Sequence, residues 1–186
     1  MAVRFDCHSC GEPWWAPPAN GCPRCGYEAR ATPDPVVWTC GHVPGTRISL
    51  TGQMRNPARF ACFVVRGFGT FVDVAGDEHY IWRPDDATIE ASGITYVRIP
   101  LEDTNIDLPD DAFDAVASAV AAAGGETLLF CAAGLKRAPH LLYGVLRAQG
   151  RDADEAWEVV AAARPMTDRF QPYIDAAERW AATARG

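Results

Sequence analysis

Two groups of residues in this chain have the types and spacing to do chemistry. The first is Thr127-Leu-Leu-Phe-Cys131-Ala-Ala-Gly-Leu-Lys-Arg137, an apolar run that ends on a thiol and is followed, after a short loop, by an arginine. Backbone N–H groups of Ala132, Ala133, Gly134, Leu135, Lys136 and Arg137 can converge on one point. Small side chains and Gly134 let the backbone wrap closely. A helix beginning at Arg137 adds its partial positive charge. The guanidinium of Arg137 can hold two oxygens of a phosphate in a fork. A thiolate at Cys131, lying in that field, is poised to attack phosphorus.

The spacing alone is weak, because seven cysteines and sixteen arginines among 186 residues supply roughly 0.6 such matches by chance. Context strengthens it: an apolar strand meets a helix there, and Lys136, the chain's one lysine, lies inside the loop. A thiol nucleophile also needs a proton donor for the leaving oxygen. Arg98-Ile-Pro-Leu-Glu-Asp-Thr104 follows the preceding strand and supplies Asp103, with Glu102, Asp107 and Asp110 as alternatives. In open α/β sheets ligands bind at the carboxyl edge, where both segments emerge.

The second group is Cys7-His-Ser-Cys10-Gly and Cys22-Pro-Arg-Cys25-Gly. Two such turns present four thiolates in a tetrahedron, which suits Zn²⁺. Four protein ligands close the shell, so the predicted role is structural. The same sulfur set also suits iron, but no second redox centre is visible, which favours zinc. Trp14 and Trp15, among prolines, form an apolar face for docking on the main domain or on a protein partner.

These groups need elements to position them. Strands are predicted at Arg47–Leu50, Thr70–Val74, Ile94–Ile99 and Thr127–Phe130. Helices are predicted at Asp110–Ala123, His140–Ala148, Ala153–Ala163 and Asp168–Ala182. Strands alternating with helices predict an α/β fold whose mostly parallel central sheet is flanked by helices. The predicted organisation is a metal knuckle over 1–30, a linker over 31–44 and an α/β domain over 45–186. Trp157 and Trp180 read as core residues, Cys40 and Cys62 as buried thiols, and His140 as a helix-start residue.

Composition narrows the function classes. Hydrophobic residues make up 48% and charged residues 22%, as in a folded domain. The net charge of −7 argues against a general grip on nucleic acid or anionic membrane. No apolar stretch is long enough to span a bilayer. The first ten residues lack a secretory pattern, so a cytoplasmic chain is expected.

Residues 45–184 resemble the dual-specificity branch of the Cys-based protein tyrosine phosphatases. The resemblance rests on Tyr96-Val-Arg-Ile-Pro-Leu-Glu-Asp103, on Leu128-Leu-Phe-Cys131 through Arg137, on the helix Leu141–Leu146, and on Asp154-Glu-Ala-Trp157 leading to Ala163-Arg-Pro165. Residues 5–28 resemble zinc-ribbon and rubredoxin-type knuckles. The first resemblance implies that Cys131 forms a cysteinyl-phosphate, that Arg137 binds the phosphoryl group, and that Asp103 protonates the leaving oxygen and then activates water. It implies no metal in catalysis and a phosphorylated protein or small phosphomonoester as substrate. Two departures stand out: Phe130 replaces a histidine that supports the loop, and Ala138 replaces a hydroxyl that helps the thiolate leave. They predict slow hydrolysis of the intermediate. The alternative is a phosphate-binding module with little turnover. A rhodanese-like sulfurtransferase is disfavoured by Asp103 and by the three helices after the loop.

Overall fold

The computed structural model describes residues 4–6, 13–15, 40–77, 82–103 and 106–185. Strands β1 (Arg4–Asp6) and β2 (Pro13–Trp15) pair antiparallel, with Phe5 opposite Trp14. Cys7, Cys10, Cys22 and Cys25, the predicted metal ligands, lie outside the described residues.

The main sheet has five strands in the order β3-β4-β7-β5-β6. They are β3 (Cys40–His42), β4 (Ile48–Gly52), β5 (Phe68–Asp73), β6 (Thr95–Arg98) and β7 (Glu126–Cys131). β3 pairs antiparallel with β4, and the other neighbours are parallel. Strand β3 falls inside the stretch predicted as linker, so the sheet begins earlier than residue 45. Gly41 explains the close seat of β3, since a Cβ there would stand 1.7 Å from the Ala163 carbonyl oxygen.

The helices are α1 (Pro57–Val65), α2 (Asp86–Ser92), α3 (Asp110–Ala122), α4 (Arg137–Ala148), α5 (Ala153–Ala163) and α6 (Gln171–Ala184). Helix α1 starts on Asn56, whose side chain accepts the Arg59 N–H at 2.8 Å, with Pro57 in the first turn. Asp152 caps α5 in the same way, accepting from Glu155 N–H at 2.7 Å. None of the described helices is long and apolar enough to cross a membrane.

Strand alternation sorts the core into two clusters. Leu129 and Cys131 share a cluster with Phe113 and Val116 of α3, Leu141 and Leu142 of α4, and Trp180 of α6. Leu128 and Phe130 share the other with Phe60 and Phe63 of α1 and with Phe71. Each such apolar side chain, fully buried, contributes about 1.5–3 kcal/mol. Trp180 stacks on Phe113 at 5.2 Å and donates from Nε1 to Asp114 at 2.8 Å, in line with its predicted core role. Because four strands run parallel, Gly52, Asp73, Arg98 and Cys131 all end at one edge of the sheet.

Candidate active site

Cys131 is the last residue of the buried central strand and Arg137 the first of α4, so the loop between them spans the carboxyl edge. Register pairs Cys131 with Gly52 across β7 and β4. Gly134 has φ +71°, and a Cβ there would stand 2.3 Å from the Thr51 carbonyl oxygen. Only glycine permits both the left-handed backbone and that approach.

Three of the loop carbonyls are taken up by groups outside the loop. Ala132 O accepts from Gln53 N–H at 3.1 Å. Arg164 donates from Nη2 to Ala133 O at 2.9 Å and from Nε to Gly134 O at 3.0 Å. Among the described residues, no backbone N–H of Ala132, Ala133, Gly134, Leu135 or Arg137 donates to a backbone carbonyl. Helix α4 has no side-chain cap either. Several donors therefore stand before a helix N-terminus without a backbone acceptor, an arrangement that suits an anion.

Arg137 is almost wholly buried, and its Nε has no hydrogen-bond partner. Its Nη1 donates to Leu101 O, and its Nη2 lies 3.9 Å from Asp103 Oδ2. The guanidinium thus joins the cradle to the loop after β6. That loop is itself anchored, since Ile99 N–H donates to Asp73 O at 2.8 Å. The other acids considered do not share this place. Asp107 is engaged by Arg179 of α6 at 2.9 Å and Asp110 lies in the first turn of α3, while Glu102 and Asp103 are both exposed and only Asp103 is paired with Arg137 among the described residues.

Burial pushes the Arg164 guanidinium below its ordinary range, while the neighbouring Cys131 and Cys40 sulfurs oppose that shift. Burial pushes the Cys40 thiol up against the pull of Arg66, Arg59 and Arg164, which marks it as an inert thiol. Cys62 is a buried thiol. The Lys136 ammonium lies 5.1 Å from the Phe170 ring centroid, above its face. His140 is fully buried within α4, in line with its predicted helical place.

Sequence reasoning missed Arg164. Its one visible signal was the Ala163-Arg-Pro165 segment, which carried no chemical role. Among the described residues no group of three or more metal-ligating side chains comes together. A cleft of about 300 Å³ lies at the opposite sheet edge, between Gly69, Thr70, Thr95, Val97 and the end of α3, with no titratable side chain in its wall.

No protein-family model matches the chain, and no curated protein matches it. Solved structures do share its fold. The crystal structure of Tk-PTP in the active form superposes with a TM-score of 0.65 at 16% identity, covering 77% of this chain and 96% of that one. Human DUSP28 gives 0.62 at 20% identity, covering 85% and 100%. The human tyrosine phosphatase-like serine/threonine/tyrosine-interacting protein gives 0.67 at 12%, covering 79% and 98%. The chain has the α/β fold shared by tyrosine and dual-specificity phosphatases.

Proposed function

We propose that the chain is a Cys-dependent phosphomonoester phosphatase. Cys131 is the nucleophile, Arg137 and the 132–137 backbone hold the phosphoryl group, and Asp103 is the general acid. The observation that carries this reading is the Arg137 side chain, buried with Nε unpaired, beside a loop whose Ala132, Ala133 and Gly134 carbonyls are bound by groups outside it.

In the first step Sγ of Cys131 attacks phosphorus, an S–P bond forms and the ester P–O bond breaks. The leaving oxygen takes a proton from the Asp103 carboxyl group. Arg137 and the loop N–H groups stabilise the charge on the equatorial oxygens. In the second step the Asp103 carboxylate removes a proton from water, whose oxygen attacks phosphorus. The S–P bond breaks, and inorganic phosphate and the thiolate return. Asp103 lies beside Arg137, which also binds Leu101 O, so one guanidinium aligns acid and phosphate.

The preferred substrate is a phosphorylated protein, with phosphotyrosine or another phosphorylated side chain as the ester. We further propose a cytoplasmic location and a structural zinc held by Cys7, Cys10, Cys22 and Cys25. A second reading, an anion-binding module with little turnover, is favoured by Ala138 and Phe130, both packed in apolar clusters.

Turnover of p-nitrophenyl phosphate across pH 5–8 tests the proposal, with Cys131→Ser and Asp103→Ala as controls. Activity lost in Cys131→Ser supports the enzyme, while Asp103→Ala should lose less on this activated ester than on an alkyl phosphate. Wild-type protein that binds phosphate without turnover supports the binding module instead.

A further inference from the structure

Both ring nitrogens of His140 are engaged, and they join two segments that must hold still around the cradle. Nδ1 lies 2.6 Å from the Lys136 carbonyl oxygen, and Nε2 lies 3.1 Å from the Phe170 backbone nitrogen. A backbone N–H can only donate, so Nε2 must be the bare acceptor. The ring proton then resides on Nδ1 and is donated to Lys136 O. Phe170 N–H is shared with Asp168 O at 2.9 Å.

The ring cannot turn to satisfy other partners. It is fully buried between Trp157, at 5.3 Å, and Tyr173, at 5.4 Å. Burial keeps it neutral, pushing its pKa down to about 4, with the Lys136 charge adding to the shift and the Lys136 carbonyl opposing it.

Phe170 closes the segment that begins with Arg164. That segment therefore grips the loop at Ala133 and Gly134 through Arg164, and at Lys136 through His140. The Lys136 ammonium over the Phe170 ring is a further link between the same two segments. The Lys136 carbonyl also accepts the His140 backbone N–H at 3.1 Å, so the ring is its second hold, and a carbonyl that tilts inward when that hold is lost would oppose an anion with its partial negative charge.

We propose that His140 is a positioning residue: as the Nδ1–H tautomer it ties the end of the cradle to the Arg164–Phe170 segment and adds to the backbone bond that holds the Lys136 carbonyl away from the anion. This rests on the reading of residues 131–137 as an anion cradle. The ring has no free nitrogen with which to act as a base.

Long-range ¹H–¹⁵N correlation spectra of the wild-type protein at pH 7 test the tautomer without any substitution. Orthovanadate titration then compares wild type with His140→Phe, His140→Asn and His140→Gln. The expected spectrum has a protonated Nδ1 and a bare Nε2. His140→Phe should weaken vanadate binding about tenfold, the effect of one lost net hydrogen bond. His140→Asn, whose amide can reach the Lys136 carbonyl, should recover most of that loss, and His140→Gln should not.

A protonated Nε2, or vanadate binding by His140→Phe within twofold of wild type, would overturn the proposal. Should His140→Phe fail to fold, the tautomer and the Asn–Gln pair decide: equal affinity in those two overturns it. Wild-type protein that binds no vanadate sinks the cradle reading itself, whatever the tautomer.

Discussion

Arg164 and Gly134 are 30 residues apart in sequence, yet the buried Arg164 Nε donates to the Gly134 carbonyl at 3.0 Å. The same guanidinium reaches Ala133 O. One planar fork thus fixes two successive carbonyls, which a single ammonium cannot do in that geometry. Arg164→Lys should weaken vanadate or phosphate binding about 10- to 100-fold, in line with ~1.5–3 kcal/mol for hydrogen bonds to a charged group. Competition against p-nitrophenyl phosphate measures it. An unchanged inhibition constant in a folded variant would remove Arg164 from the account.

Gly134 gives a prediction about stability. Gly134→Ala meets both the positive φ and the Thr51 carbonyl, so β4 or the loop must shift. The expected loss is about 2–4 kcal/mol, measured by urea unfolding. Gly69→Ala is the control, since a Cβ there meets nothing within 4 Å. It should stay within about 0.5 kcal/mol of wild type.

Strand β7 and the loop after it were legible because a buried central strand is an unbroken apolar run and the loop chemistry sits within seven residues of sequence. Helix α5 was legible at both ends, since Asp152 caps it and Pro165 follows it closely. Helix α1 was not. Phe60, Cys62, Phe63 and Val64 form a short apolar run with no clear period, and α1 buries Arg59 on the face that reaches Thr51 at 2.6 Å. Helix α2 has no buried residue to give it a period. Strand β3 is three residues long and is held by pairing with β4, a non-local cause. At the site, position in the chain and the phosphatase resemblance are all that set Asp103 apart from Glu102, Asp107 and Asp110 in the sequence. Arg164 was invisible for the opposite reason, since its partners are carbonyls and leave no trace in residue type.

His140 makes stability depend on pH. Its pKa is about 4 in the folded chain against an ordinary value of 6.5, so folding favours the neutral ring. Its contribution is complete above pH 6.5 and is lost as pH falls toward 4, where the folded chain also takes up the proton. The difference corresponds to about 3 kcal/mol. Glu178 acts lower: its hydrogen bond from Arg147 holds the carboxyl below 4.5, so its contribution is lost only below that value. Urea unfolding between pH 7 and 4.5 should therefore show a decline that His140→Phe flattens. A decline of equal slope in the variant would assign it to another group.

Asp103 can be tested as an acid through the leaving group. A nitrophenolate leaves without much help, whereas an alkoxide requires a proton. Asp103→Asn should therefore slow cleavage of an alkyl phosphate far more than that of p-nitrophenyl phosphate, by at least about tenfold in the ratio of kcat/KM. Equal losses on both esters would mean that Asp103 acts through its place beside Arg137 rather than by donating a proton.

Ala138, fully buried in the core that holds Cys131, carries no hydroxyl to stabilise a departing thiolate. Under the proposed mechanism a hydroxyl here would serve breakdown of the cysteinyl-phosphate and not attack on the substrate. Under the proposed mechanism, rapid-quench kinetics on an aryl phosphate should show a burst of phenol equal to the enzyme present, followed by slow turnover. Ala138→Ser restores a hydroxyl at small cost in volume. It should raise the steady rate by about tenfold while leaving the burst rate within about twofold. A linear time course in the wild-type protein would show that attack, and not breakdown, is the slow step, and Ala138 would then have no part in setting the rate.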